Sequence, residues 1–199
     1  MYTIPLHRFY SDVEKIRSRV ARPDVPNQYL MDTDFCQEWI NTVAVIELND
    51  VWAHFCRSVI GLSASGNFRT RSGIIVTTPS PRNFADAIDH VRTRRGYEPR
   101  WHDATQSIQA ATRLQLSNAP TIQLALGSAN SPASDLNACR NYFAHKRSNC
   151  AEVLRNRRFY RTQMKLQPFR IVNHIRRDGR STIDFWMDEL KLIADAALS

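Results

Sequence analysis

A chain of 199 residues that is 43% hydrophobic is long enough for one domain with a real core, and no segment has the composition of a disordered tract. The net charge of +8 and pI near 9.7 favour a polyanionic partner. The longest apolar stretch, residues 43–46, is far too short to span a bilayer, so no membrane association is expected.

Of the 27 basic residues 23 are Arg, with Lys only at Lys15, Lys146, Lys165 and Lys191. Arg grips phosphate bidentately and stacks on bases, although a GC-rich genome explains the same excess without function. Residues 1–13 have no apolar core behind early positive charges, so no secretory signal is expected and the location is read as cytoplasmic. Cys36, Cys56, Cys139 and Cys150 include no Cys-x-x-Cys pair and no zinc-finger spacing to a His. They fall in apolar helical patterns, which points to buried, reduced thiols, with no metal and no cofactor.

In chain order, Ile4, Leu6, Phe9, Val13, Ile16 and Val20 recur at helical spacing and predict an amphipathic helix ended by Pro23 and Pro26. A longer helix is predicted over residues 34–60, with Asp32, Thr33 or Asp34 as cap and Gly61 as stop. It carries Phe35, Trp39, Val43, Ile46, Val51, Trp52, Phe55 and Val59. Residues 61–81 are broken by Gly61, Gly66, Gly73, Pro79 and Pro81, and contain the β-prone run 74–78. They read as a small insertion with one strand or hairpin.

Helices are predicted next over 83–95 and 102–116, and a short one over 121–127. One long helix, 133–159, follows. Pro168 marks a break, residues 169–175 read as a strand, and Asp178-Gly179 is a turn. A last helix starts at Ser181 or Thr182. The layout is a single domain over 1–199, an all-α bundle with a small β-containing insertion, in which 161–199 is a C-terminal extension packing on the bundle.

The long helix carries the string Arg140-Asn141-Tyr142-Phe143-Ala144-His145. On a helical wheel Leu136, Cys139, Phe143, Cys150 and Leu154 form the core stripe. Asn141, His145, Ser148, Asn149 and Glu152 lie roughly opposite, facing solvent or a second subunit. Arg140 sits at the stripe's edge, and its arm must reach round to join His145. RNA carries its own nucleophile, the 2′-hydroxyl. His145 can take the hydroxyl proton, Arg140 can stabilise the charge on five-coordinate phosphorus, and Asn141, one turn from His145, can orient the ring or bind a phosphate oxygen. The products are a 2′,3′-cyclic phosphate and a 5′-hydroxyl, with no metal needed. One His does not easily act as both base and acid, so two copies across a two-fold axis are expected.

Lys146, Arg147, Tyr142, Arg155 and Arg158 are candidate RNA-binding residues; Phe159 and Tyr160 add rings on which a base can stack. The duller reading is a solvated basic helix face. His7, His54, His90, His102 and His174 are scattered, without helical ligand spacing, and no glycine-rich phosphate loop or serine nucleophile motif occurs.

The Arg-Asn-x-x-x-His string resembles the signature of the HEPN superfamily, in which Arg is followed by four to six residues and then His. Residues 118–127, leading into the motif helix, resemble the segment before the motif in several bacterial branches, and Trp52-Ala53-His54-Phe55 resembles their second helix. The resemblance covers about residues 34–160. It implies an all-helical fold and a metal-independent endoribonuclease acting as a homodimer, with Arg140 and His145 catalytic and Asn141 assisting. It also implies a role in toxin–antitoxin or antiviral defence, with an antitoxin or defence partner. Some such toxins carry, two residues after the His, a Tyr that a partner modifies; here that position is Arg147. The other reading is a non-catalytic module that binds RNA or a nucleotide, or mediates assembly.

Overall fold

A computed structural model describes residues 4–20, 33–66, 68–70, 75–76, 81–128, 132–156 and 166–199. The described elements are α1 (Ile4–Val20), α2 (Thr33–Ala64), β1 (Phe68–Arg69), β2 (Ile75–Val76), α3 (Phe84–Val91), α4 (Ala104–Arg113), α5 (Ala119–Ser128), α6 (Pro132–His145), α7 (Ser148–Arg155), α8 (Pro168–Val172) and α9 (Thr182–Ala197). The chain is mostly helical and all-α in class.

α2 is the spine. Its 32 residues make a rod about 48 Å long. It is apolar on several faces, as a helix surrounded by others must be. α1, α3, α4, α6, α8 and α9 all pack on it. Phe9 of α1 meets Trp52 and Phe55 of α2 with ring centroids 5.9 and 4.9 Å apart, forming an aromatic centre. α9 lies deep in the bundle against α1, α5 and α6, and its Trp186, Met187 and Leu190 are fully buried. Polar ties fasten α1 to α9: Arg17 to Asp188, Lys191 to Glu14 and Tyr10 to Asp195.

Several boundaries differ from the sequence reading. Gly61 does not stop α2, which runs on to Ala64. A Cβ at Gly61 would come within 2.4 Å of the Phe84 ring, so this glycine serves a close approach of α3 rather than a helix end. The region read as an insertion from 61 therefore begins as helix, and its described strands are two residues each, Phe68 opposite Val76 and Arg69 opposite Ile75. Such a ladder forms no layer of its own.

α3 ends at Val91, short of residue 95, because the exposed segment from Arg92 to Arg95 buries nothing. Of residues 169–175, expected as a strand, only Ile175 makes a β-type contact, an isolated antiparallel bridge to Ser181, and 169–172 instead belong to α8. Pro168 fits its first turn, where a missing N–H costs nothing, and Ile171 and Val172 are buried.

The largest correction concerns the motif helix. It is not one helix over 133–159 but two, α6 and α7, broken at Lys146. Lys146 has a left-handed backbone (φ +47°), and its N–H donates to the Tyr142 carbonyl at 2.7 Å, a left-handed helix cap. Residues 144–149 are all exposed, so no burial sustains a helix across them. Ala151 and Leu154 restart it by burying on the bundle.

Candidate functional site

The motif occupies the last turns of α6, whose core side is set by Leu136, Cys139 and Phe143, at 0%, 0% and 4% exposure. That anchoring fixes the rotation of the helix. Asn141 is half-buried, and His145 is exposed at the C-terminal end. Because α6 stops there, Ser148, Asn149 and Glu152 do not continue the polar face of Asn141 and His145; they belong to α7.

Arg140 is half-buried. Its Nη1 donates to Asn141 Oδ1 at 3.4 Å, and Asn141 Nδ2 donates to Asn137 Oδ1 at 3.4 Å. Both bonds are long, so the row is loosely held. Arg140 Nε is buried and has no acceptor among the described residues. Five residues along a helix is about 140° of rotation, so Arg140 and His145 leave α6 in different directions. No hydrogen bond joins the two side chains, and the arm of Arg140 is turned to Asn141 instead.

Tertiary packing gives Arg140 a neighbour that its own helix does not show. His102, half-buried just before α4, is held below its ordinary value of 6.5, mainly by burial. Asp103 opposes that shift, while the positive field of Arg140 and then Arg100 adds to it, and Asp50 of α2 opposes it weakly. The imidazole of His102 thus lies within the electrostatic reach of a guanidinium on α6 and a carboxylate on α2. The sequence offered no signal for this: His102 is one of several scattered histidines, and its distance in the chain from Arg140 and Asp50 hides the grouping. The only local cue there is Asp103, which caps α4 by accepting from the N–H groups of Thr105 and Gln106.

The other expected RNA-binding residues are dispersed. Tyr142 is half-buried, and its hydroxyl donates to the Leu166 carbonyl at 3.1 Å, so that group is engaged within the fold. Lys146 and Arg147 are exposed at the α6–α7 break, and Arg155 is exposed in the last turn of α7. Arg158, with Phe159 and Tyr160, lies outside the described residues. Cys56 and Cys139 are buried and Cys150 is half-buried, while the side chain of Cys36 lies outside the described residues; burial pushes the Cys56 thiol up, away from the thiolate. Among the described residues no three His, Cys, Asp or Glu side chains converge on a point where a metal ion would sit, and no helix is long and apolar enough to cross a membrane.

No family model matches the chain, and neither the curated proteins nor the solved structures compared with it give a match.

Proposed function

We propose that this chain is a HEPN-type, metal-independent endoribonuclease that cleaves single-stranded or looped RNA, serving as a toxin or antiviral effector. The reading rests on one observation above the others. Arg140, Asn141 and His145 occupy the final turns of a single helix, His145 is exposed, and Arg140 has a donor, Nε, without an acceptor among the described residues. A guanidinium is suited to a phosphate oxygen that arrives with the substrate, although this Nε is itself buried and the contact would fall to the other nitrogens.

The 2′-hydroxyl gives its proton to His145 as its oxygen bonds to phosphorus. The guanidinium of Arg140 stabilises the charge gathered on the non-bridging oxygens. The P–O5′ bond then breaks, and the departing 5′-oxygen takes a proton from a second imidazolium, supplied by another copy of the chain. Atoms and charge balance, leaving a 2′,3′-cyclic phosphate and a 5′-hydroxyl. The divergence of Arg140 and His145 around α6 favours this two-copy arrangement, because one copy's Arg140 can then face the other's His145.

The test is RNA cleavage with a chelator present, comparing the native chain with Arg140→Ala and His145→Ala and identifying the new ends. Loss of cleavage in both variants, with cyclic phosphate ends from the native chain, is expected. Activity that survives both substitutions removes the mechanism. A strictly monomeric chain in solution removes the two-copy form of it.

A further inference from the structure

The C-terminal end of α6 borders a groove of about 450 Å³, walled on its other sides by the first half of α2 and the residues entering α8. That volume suits a small planar ligand. Trp39 lines it with 63% of its surface exposed, whereas Trp52, Trp101 and Trp186 are at 1%, 6% and 0%. The chain has four tryptophans, so its accessible indole is this one.

A single exposed ring is ordinary; the company of Trp39 is not. The hydroxyl bond of Tyr142 to the Leu166 carbonyl holds the phenol ring in the groove's wall, and Leu166 and Pro168 add apolar surface. Lys146 lines the rim, beside the exposed His145 and Arg147. Flat apolar walls and a cationic rim fit a molecule with a planar ring and a phosphate. The carboxylate of Glu38, also in the lining, disfavours a lipid chain.

We infer that this groove holds one nucleotide of a single-stranded RNA, its base against Trp39 and its phosphate on Lys146. The inference deepens the nuclease reading and rests on it for the strand's purpose, because Lys146, which lines the groove, directly follows His145 in the chain. Trp39 is a binding residue in this account, and the chemistry stays with Arg140 and His145.

A fluorescein-labelled 2′-O-methyl RNA of about ten nucleotides, within the usual length for single-strand sites, reads binding without turnover, because its blocked 2′-oxygen cannot attack. Fluorescence anisotropy is expected to show Trp39→Leu binding about tenfold more weakly. Lys146→Gln is expected to lower the slope of log affinity against log salt by about 1. The unlabelled RNA should quench the native tryptophan emission and leave that of Trp39→Leu unchanged. Both positions are exposed, and thermal melts check that the variants fold.

Unchanged affinity in Trp39→Leu overturns the groove even if ordinary RNA is cleaved. Binding that depends on Trp39, in a chain that never cleaves, supports the groove and removes the nuclease reading alone. No binding by the native chain overturns both.

Discussion

Arg140 donates from Nη1 to the side-chain oxygen of Asn141 at 3.4 Å, a long bond that turns the cation of the motif loosely toward its neighbour in sequence and not toward His145. In the proposed mechanism Asn141 acts as a positioning residue for the guanidinium. Asn141→Ala is expected to lower kcat/KM for RNA cleavage about tenfold, well short of the hundredfold or greater loss expected for His145→Ala. Asn141→Asp keeps an acceptor for Arg140 and should recover most of the activity. Equal losses in the Ala and Asp variants would show that Asn141 does not act through Arg140.

Lys146 combines a strained backbone with an exposed cation. A left-handed conformation costs a side-chain-bearing residue about 1–2 kcal/mol, partly offset by the greater freedom glycine has when unfolded. Lys146→Gly should therefore raise stability by about 0.5–1 kcal/mol and Tm by about 1–4 °C. It should at the same time weaken RNA binding. A fall in Tm would mean that the ammonium holds the α6–α7 break together.

Gly61 sets how closely α3 approaches α2. In Gly61→Ala the new methyl meets the Phe84 ring at 2.4 Å, against a gain of about 1 kcal/mol in helix propensity. Overpacking costs about 1–3 kcal/mol, so a net loss of up to about 2 kcal/mol in urea unfolding is expected. Adding Phe84→Leu, which removes the ring, should restore most of it. A double variant no better than the single would place the strain elsewhere.

Acid should weaken the fold in two separable stages. His102 has a folded pKa below its ordinary 6.5, so the unfolded chain binds the proton more readily. Its contribution is complete above 6.5 and is lost as pH falls through the folded value. The bidentate bond from Arg57 holds Glu98 below the ordinary 4.5, against an opposing effect of burial, and Trp101 adds a further hydrogen bond. That contribution is complete above 4.5 and is lost at lower pH. His102→Gln should flatten the first stage only. Arg57→Ala should flatten the second and cost about 1–2 kcal/mol at neutral pH, a value between exposed and fully buried pairs. Urea midpoints across pH that leave either stage intact in its own variant would reassign it.

The sequence by itself determined the helices that bury a periodic stripe. α1 and α9 follow from their apolar spacing and, for α9, from Ser181, whose side chain accepts from the Asp184 N–H. The Asp178-Gly179 turn follows from a glycine with φ +82°. The motif string was legible as well, because its residue types and spacing are local properties of the chain.

Only the tertiary structure decided where packing overrules propensity. Gly61 stays helical because Phe84 needs its missing side chain, and 144–149 fails to stay helical because nothing there is buried. The strand-like residues around Ile171 became α8 because α2 covers them. The charges of Arg140 and Asp50 came to act on His102, and Trp39 came to line one groove with Tyr142 and Lys146, through the packing of elements far apart in the chain. Helical periodicity records which side of an element is buried, but not which element will cover it, and the rotation of α6 against α2 and α9 is fixed by that choice.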